Sequence, residues 1–193
     1  MSEVEITLIG GSLRAGSAAE QVLRACADLA RRHGARTSLH TASQLVLPPY
    51  LPDSDERPTA AHRLLAAVRS ADGLIVATPT YHGGMSGLVK NALDHLEDLA
   101  ADTPAYLDGK VVGTVAVGWS EHGAATAITD LRNTVLSLRG WTTPMAVTVN
   151  SYNSGVDGWI RTTPRLMRRL EILVDQVLDF AAQRRSARLA ASA

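Results

Sequence analysis

Gly73-Leu74-Ile75-Val76-Ala77-Thr78 lacks the polar alternation of a half-exposed strand. Runs of this kind belong to parallel strands covered on both faces. Toward the N-terminus, helical spacing over Thr59–Ser70 puts Leu64, Leu65 and Val68 on one side. Leu47–Pro58 before it carries four prolines and reads as loop. Arg36–Thr41 reads as a short strand. Val4–Ile9 is an apolar run, followed by Gly10, Gly11 and a helical pattern from Ser17 to about His33 that stops at Gly34. Toward the C-terminus the alternation continues with helix Ser86–Leu99, strand Lys110–Val117, helix Ala124–Leu138, strand Trp141–Val149 and helix Pro164–Arg184. Residues 185–193 read as a frayed, flexible tail on a single domain spanning 1–184. Strands alternating with helices imply right-handed crossovers and one open parallel sheet, a doubly wound α/β domain. Ligands of such sheets lie outside the carboxyl ends of the strands, where strand order reverses. Functional residues are therefore expected just after strands one, three and four.

Composition narrows the partners. Nineteen Lys and Arg balance 19 Asp and Glu in 193 residues, so the chain lacks the basic excess with which proteins neutralise nucleic-acid phosphates. With 46% hydrophobic residues it fills a core, and with one Phe that core is aliphatic. One cysteine, Cys26, forms no internal disulfide and falls on the apolar side of the first helix, as a packing residue in a reducing cytoplasm. The first residues lack the basic start of a signal peptide, and no stretch approaches the roughly 18 apolar residues of a membrane span. A cytoplasmic protein without membrane or nucleic-acid partners is expected.

The first loop, Gly10-Gly11-Ser12-Leu13-Arg14-Ala15-Gly16-Ser17, opens a helix. It is no dinucleotide fingerprint, since Gly-x-Gly-x-x-Gly is absent and strand two ends in His40-Thr41 rather than an acid. It is no Walker loop, because no lysine precedes Lys90, and no nucleophile elbow, because Arg14 stands at the closing glycine. Two hydroxyls, a guanidinium and free N–H groups at a helix start suit a phosphate monoester. The alternative is that Ser12 or Ser17 only caps the helix.

The second loop, Pro79-Thr80-Tyr81-His82-Gly83-Gly84-Met85-Ser86-Gly87, sets three glycines and an aromatic at the mouth of the sheet, where backbone can approach a flat ligand. An ordinary turn capped by Ser86 is the plainer reading. The third, Gly118-Trp119-Ser120-Glu121-His122-Gly123, nearly spells a nucleophile elbow. His122 displaces the closing glycine, and no histidine follows it to complete a hydrolase triad. The histidines show no zinc spacing and no metal site is expected; His33, His62 and His95 read as surface residues, while His82 and His122 fall on the ligand rim.

With these loops in place, the sequence resembles the NADPH-dependent FMN reductase family of flavodoxin-like proteins over about residues 4 to 150. The resemblance is carried by Ser12, Arg14 and Ser17 of a Ser-x-Arg-x-x-Ser loop, by Pro79 and Tyr81 of a Pro-Glu-Tyr-Asn pattern, and by Gly87, Lys90, Asn91, Ala92 and Asp94 of the next helix. It implies a three-layer fold whose five-stranded parallel sheet has order 2-1-3-4-5. Ser12, Arg14 and Ser17 would hold the phosphate of FMN. Pro79, Thr80, Tyr81, His82 and Gly83 would line one side of the flavin ring, with Gly118, Trp119, His122 and Gly123 at its other edge. Thr80 and His82 depart from the pattern's Glu and Asn, and Trp119 to His122 interrupts a glycine-rich loop.

The implied chemistry is hydride transfer from NAD(P)H to FMN, in which no side chain acts as nucleophile and Tyr81 or Trp119 gates the stacking face. Reduced flavin would serve a partner oxygenase or reduce a quinone, azo compound or metal ion. The family also implies a homodimer or homotetramer, and Val89 and Leu93 offer a second apolar row for a partner. The competing expectation is a non-enzymatic flavodoxin-type electron carrier, although such carriers are strongly acidic and this chain is neutral.

Overall fold

The computed structural model describes residues 3–54, 56–152, 160 and 162–191. Six strands run β1 (Glu5–Gly10), β2 (Arg36–Thr41), β3 (Gly73–Tyr81), β4 (Gly84–Met85), β5 (Val111–Gly118) and β6 (Trp141–Asn150). Five helices, α1 (Ala18–Arg32), α2 (Thr59–Ser70), α3 (Gly87–Asp94), α4 (Glu121–Ser137) and α5 (Pro164–Ala191), fill the crossovers and the C-terminus. The sheet order is β2-β1-β3-β5-β6, with β4 paired to β3. The five long strands, counted alone, follow the expected 2-1-3-4-5 order and are parallel. The two-residue β4 is the departure: it runs antiparallel to the end of β3, pairing Thr80 with Met85 and Tyr81 with Gly84. His82 and Gly83, both at positive φ, turn this hairpin. Several glycines of the second loop thus serve a local turn.

Why β3 reads as unbroken apolar sequence is visible in its two faces. Ile75 and Ala77 join a core with α1 and α5, whereas Leu74 and Val76 join another with α2, α3 and Leu96 and Leu99 of the following 3₁₀ turn, His95–Leu99. β1 divides in the same way, with Ile6 and Leu8 on the α1 side and Ile9 on the other. Cys26 is fully buried in the α1 layer, and burial pushes its thiol up to about 12, so it acts as a packing residue.

Four expectations change. Val89 and Leu93, expected to face a partner, are buried in this chain's own core. His95 is buried rather than on the surface, its Nε2 3.0 Å from the Pro48 carbonyl oxygen. The 3₁₀ turn that ends the α3 region and the proline-rich strap are locked together. Asn91 bonds the Leu47 and Pro48 carbonyls and the Tyr50 N–H, and Arg57 grips Asp98 at 2.6 Å. α4 starts at Glu121, three residues before expected, because Ser120 accepts the Gly123 N–H as its cap. Finally, the segment from Arg185, expected as a tail, continues α5 to Ala191, where Arg185 and Arg188 both bond the buried Asp72; residues 192–193 lie outside the described part. No described helix is long and apolar enough to cross a membrane.

Candidate functional site

The carboxyl ends of β1, β3 and β5 open into a cavity of about 630 Å³. Its walls include Ser12, Arg14 and Ser17 from the first loop, Pro79, Thr80, Tyr81, His82 and Gly83 from the β3–β4 hairpin, and Gly118, Trp119 and Gly123 from the third. Eleven of the twelve expected binding residues therefore meet in one place. His122 is the exception. It sits exposed on the first turn of α4, outside the cavity, because α4 begins at Glu121.

The β1 end of the cavity is built around one close contact. At Gly10, with φ +139°, a Cβ would lie 1.8 Å from the Ala77 carbonyl oxygen, so only glycine lets the chain turn off β1 here. The Gly11 N–H then bonds that same oxygen at 3.1 Å. Beyond it, among the described residues, the backbone N–H groups of Ser12, Leu13, Arg14, Ala15, Ala18 and Ala19 donate no hydrogen bond. Ser17 is a helix cap, accepting the Glu20 N–H at 3.3 Å, but its own proton stays available. Both readings of Ser17 are thus compatible in one residue. Glu20 bonds the Gly16 N–H and is itself paired to Arg24 at 2.6 Å, so its charge is answered inside the helix. Arg14 has no ion-pair partner among the described residues. Unpaired amides at a helix start, two hydroxyls and a free guanidinium form a donor set suited to a phosphate.

The ring end presents a different signature. Thr80 Oγ1 is buried without a hydrogen-bond partner, a state that costs stability unless a ligand answers it. At Gly118 and Gly123 a Cβ would come within 3.3 and 3.4 Å of the Thr80 side chain, so these two glycines make room for it. Around the mouth stand exposed aromatics, Trp119 at 79% and Tyr81 at 55%. The donor cradle and the orphaned hydroxyl both fit a flavin mononucleotide.

The structure adds Ala18, Ala19, Val117, Ser120 and Ser151 to the cavity wall. Ser120 carries a sequence signal as the cap of α4. Ser151 carries none: it belongs by a long-range contact, its N–H bonding the Gly118 carbonyl at 2.8 Å. Another cavity of about 650 Å³ lies among Tyr50, Lys90, Asp94, Glu97 and Tyr106, on helix and loop surfaces away from the strand ends. Its polar groups satisfy each other, Lys90 with Asp94 and Tyr106 with Glu97.

Residues 4–154 match the family described as NADPH-dependent FMN reductase. The FMN-dependent NADPH-azoreductase of Staphylococcus haemolyticus is 32% identical over 133 residues, which cover 67% of this chain and 66% of that protein. Among solved structures, the flavoenzyme NAD(P)H:(acceptor) oxidoreductase of Paracoccus denitrificans superposes with a TM-score of 0.73 at 21% identity, covering 92% of this chain and 98% of that one. An apo NADH:FMN oxidoreductase gives 0.68 at 24% identity over 90% of each chain. At those identities the structures show a shared fold.

Proposed function

The chain belongs to the NADPH-dependent FMN reductase family, and from that premise we propose that it is an FMN-dependent NAD(P)H oxidoreductase, with a single FMN-binding unit that takes in α5 to Ala191 rather than ending at 184. The observation that carries this is the group of unanswered donors between Ser12 and Ala19, which share one cavity with the unanswered Thr80 hydroxyl. When bound, FMN supplies the hydride chemistry. The chain's own residues do the rest. Ser12, Arg14 and Ser17 hold the phosphate, Thr80 offers a polar contact to the ring system, and the hairpin of Pro79 to Gly83 forms a wall. Tyr81 and Trp119 shield the stacking face from water, and His82 stands at the rim. Among the described residues, no carboxylate lines the cavity to compete for the phosphate cradle.

The acceptor is a small aromatic molecule, an azo compound in the first instance, on the strength of the azoreductase relative. Supply of reduced flavin to an oxygenase is the second acceptor reading. A homodimer or homotetramer in the cytoplasm remains the proposed state, resting on the family alone now that Val89 and Leu93 prove to be core.

The test mixes purified protein with FMN and NADPH and follows NADPH absorbance with and without oxygen. Turnover is expected, and faster turnover with an azo dye present. Firm FMN binding without NADPH oxidation would instead identify an electron carrier.

A further inference from the structure

Beyond the edge strand β6, where α4 on one face and α5 on the other leave a gap, a hollow of about 360 Å³ is lined by Glu121, Thr148, Asn150, Arg165 and Arg169 among others. It lies at the same carboxyl end of the sheet as the main cavity, where Ser120 and Ser151 line one and their chain neighbours Glu121 and Asn150 line the other. We propose that this hollow receives the 2′-phosphoadenosine end of NADPH, with Arg165 and Arg169 as the residues that distinguish NADPH from NADH. The inference rests on the function proposed above and deepens it.

The reasoning starts from the order of the strands. The flavin phosphate cradle lies at β1, and β1, β3, β5 and β6 follow one another across the sheet. Three strand spacings put the β6 edge about 14 Å from β1. A second nucleotide stacked on the flavin has to send its own charged tail away from the occupied cradle, and β6 is the strand farthest from that cradle. The arginines are suited to receive it. They lie one helical turn apart on α5 and therefore share a face. Arg169 is half-buried, with one guanidinium nitrogen fixed at 3.1 Å by the Thr148 carbonyl oxygen, so its fork is held in place. Arg165 is exposed and has no ion-pair or hydrogen-bond partner among the described residues.

Two planar cations match a phosphate dianion. Among the described residues, Glu121 is the one carboxylate on the hollow and forms no ion pair. It accepts a hydrogen bond from the ribose 3′-hydroxyl and still leaves the hollow net positive. Arg168, exposed on the same turn, lies outside it. NADH brings only a hydroxyl to this place and leaves both guanidiniums unanswered.

Calorimetric titration of the FMN-loaded protein with 2′,5′-ADP and with 5′-AMP reads the site without turnover. The wild type is expected to bind 2′,5′-ADP at least about tenfold more tightly, as befits a charge-assisted bond. Arg165→Ala and Arg169→Gln are each expected to cut that preference about tenfold, and Arg165→Lys to restore part of it. The ratio of kcat/KM for NADPH over NADH should fall by the same factor. Equal affinity for the two nucleotides in the wild type, or a preference untouched in both variants, overturns the assignment. If FMN still binds and NADH is still oxidised in that case, only the hollow is misassigned. Loss of both in the wild type overturns the proposed function itself.

Discussion

The two ends of the sheet handle polar groups in opposite ways. At the amino ends of the strands, Asp72 is 1% exposed and fully engaged, accepting from the Glu5 N–H at 3.0 Å and from Arg185 and Arg188. Lys110 beside it, 5% exposed, donates to the Arg69 and Ala71 carbonyls at 3.1 and 2.6 Å. At the carboxyl ends, six backbone N–H groups, the Arg14 guanidinium and the Thr80 hydroxyl have no partner among the described residues. Both ends are polar, so polarity alone does not mark a site. What marks it is that the charged pair Asp72 and Lys110 is answered from within the chain, whereas the donors around Arg14 and Thr80 wait for a ligand.

The largest effect expected from this contrast comes from breaking the satisfied end. Asp72→Ala leaves the Glu5 N–H and two partly exposed arginines without their shared acceptor and should cost about 3 kcal/mol of folding stability, read by chemical denaturation. FMN affinity of the folded fraction should hold. Next is the pH dependence of Lys110, whose ammonium is pushed down to about 8 by burial first and by Arg188 second, with Asp72 opposing. Between that value and the ordinary 10.5, the unfolded chain holds a proton that the folded chain has released. Stability from this group therefore rises with pH across the window, by at most about 3 kcal/mol. The difference between wild type and Lys110→Met, measured by denaturation at pH 7.5 and 10, should carry that slope; parallel curves would show an amine ionising normally.

At the waiting end the effects move to the ligand. Arg14→Ala should weaken FMN binding by about 2 kcal/mol in a fluorescence titration while leaving the melting temperature of the apoprotein in place. Unchanged affinity would remove Arg14 from the cradle. Smallest, and the sharpest discriminator, is Thr80→Val. Deleting an orphaned buried hydroxyl should stabilise the FMN-free protein and weaken FMN binding, each by about 1 kcal/mol. A change of the same sign in both would mean Thr80 is only packing.

Local signals in the sequence account for much of this. The apolar run in β3 needs both faces covered, and the Ser12-to-Ser17 loop needs only its own residue types and the helix behind it. Misreadings fall where a distant partner decides. Ser151 joins the cavity through Gly118, His95 is drawn inward by Pro48, and the C-terminal turn of α5 persists because Asp72, more than a hundred residues earlier, holds its arginines. The Val89–Leu93 row was legible as apolar, but periodicity does not say which of two apolar surfaces a helix face will meet. His122 was misplaced by a single local fact, the Ser120 cap.

The turn at Gly10 also bears on how such a chain can change over generations. Every replacement reachable by one base change in a glycine codon brings a Cβ, and a Cβ there falls 1.8 Å from the Ala77 carbonyl oxygen. The position has no neutral neighbour in sequence space.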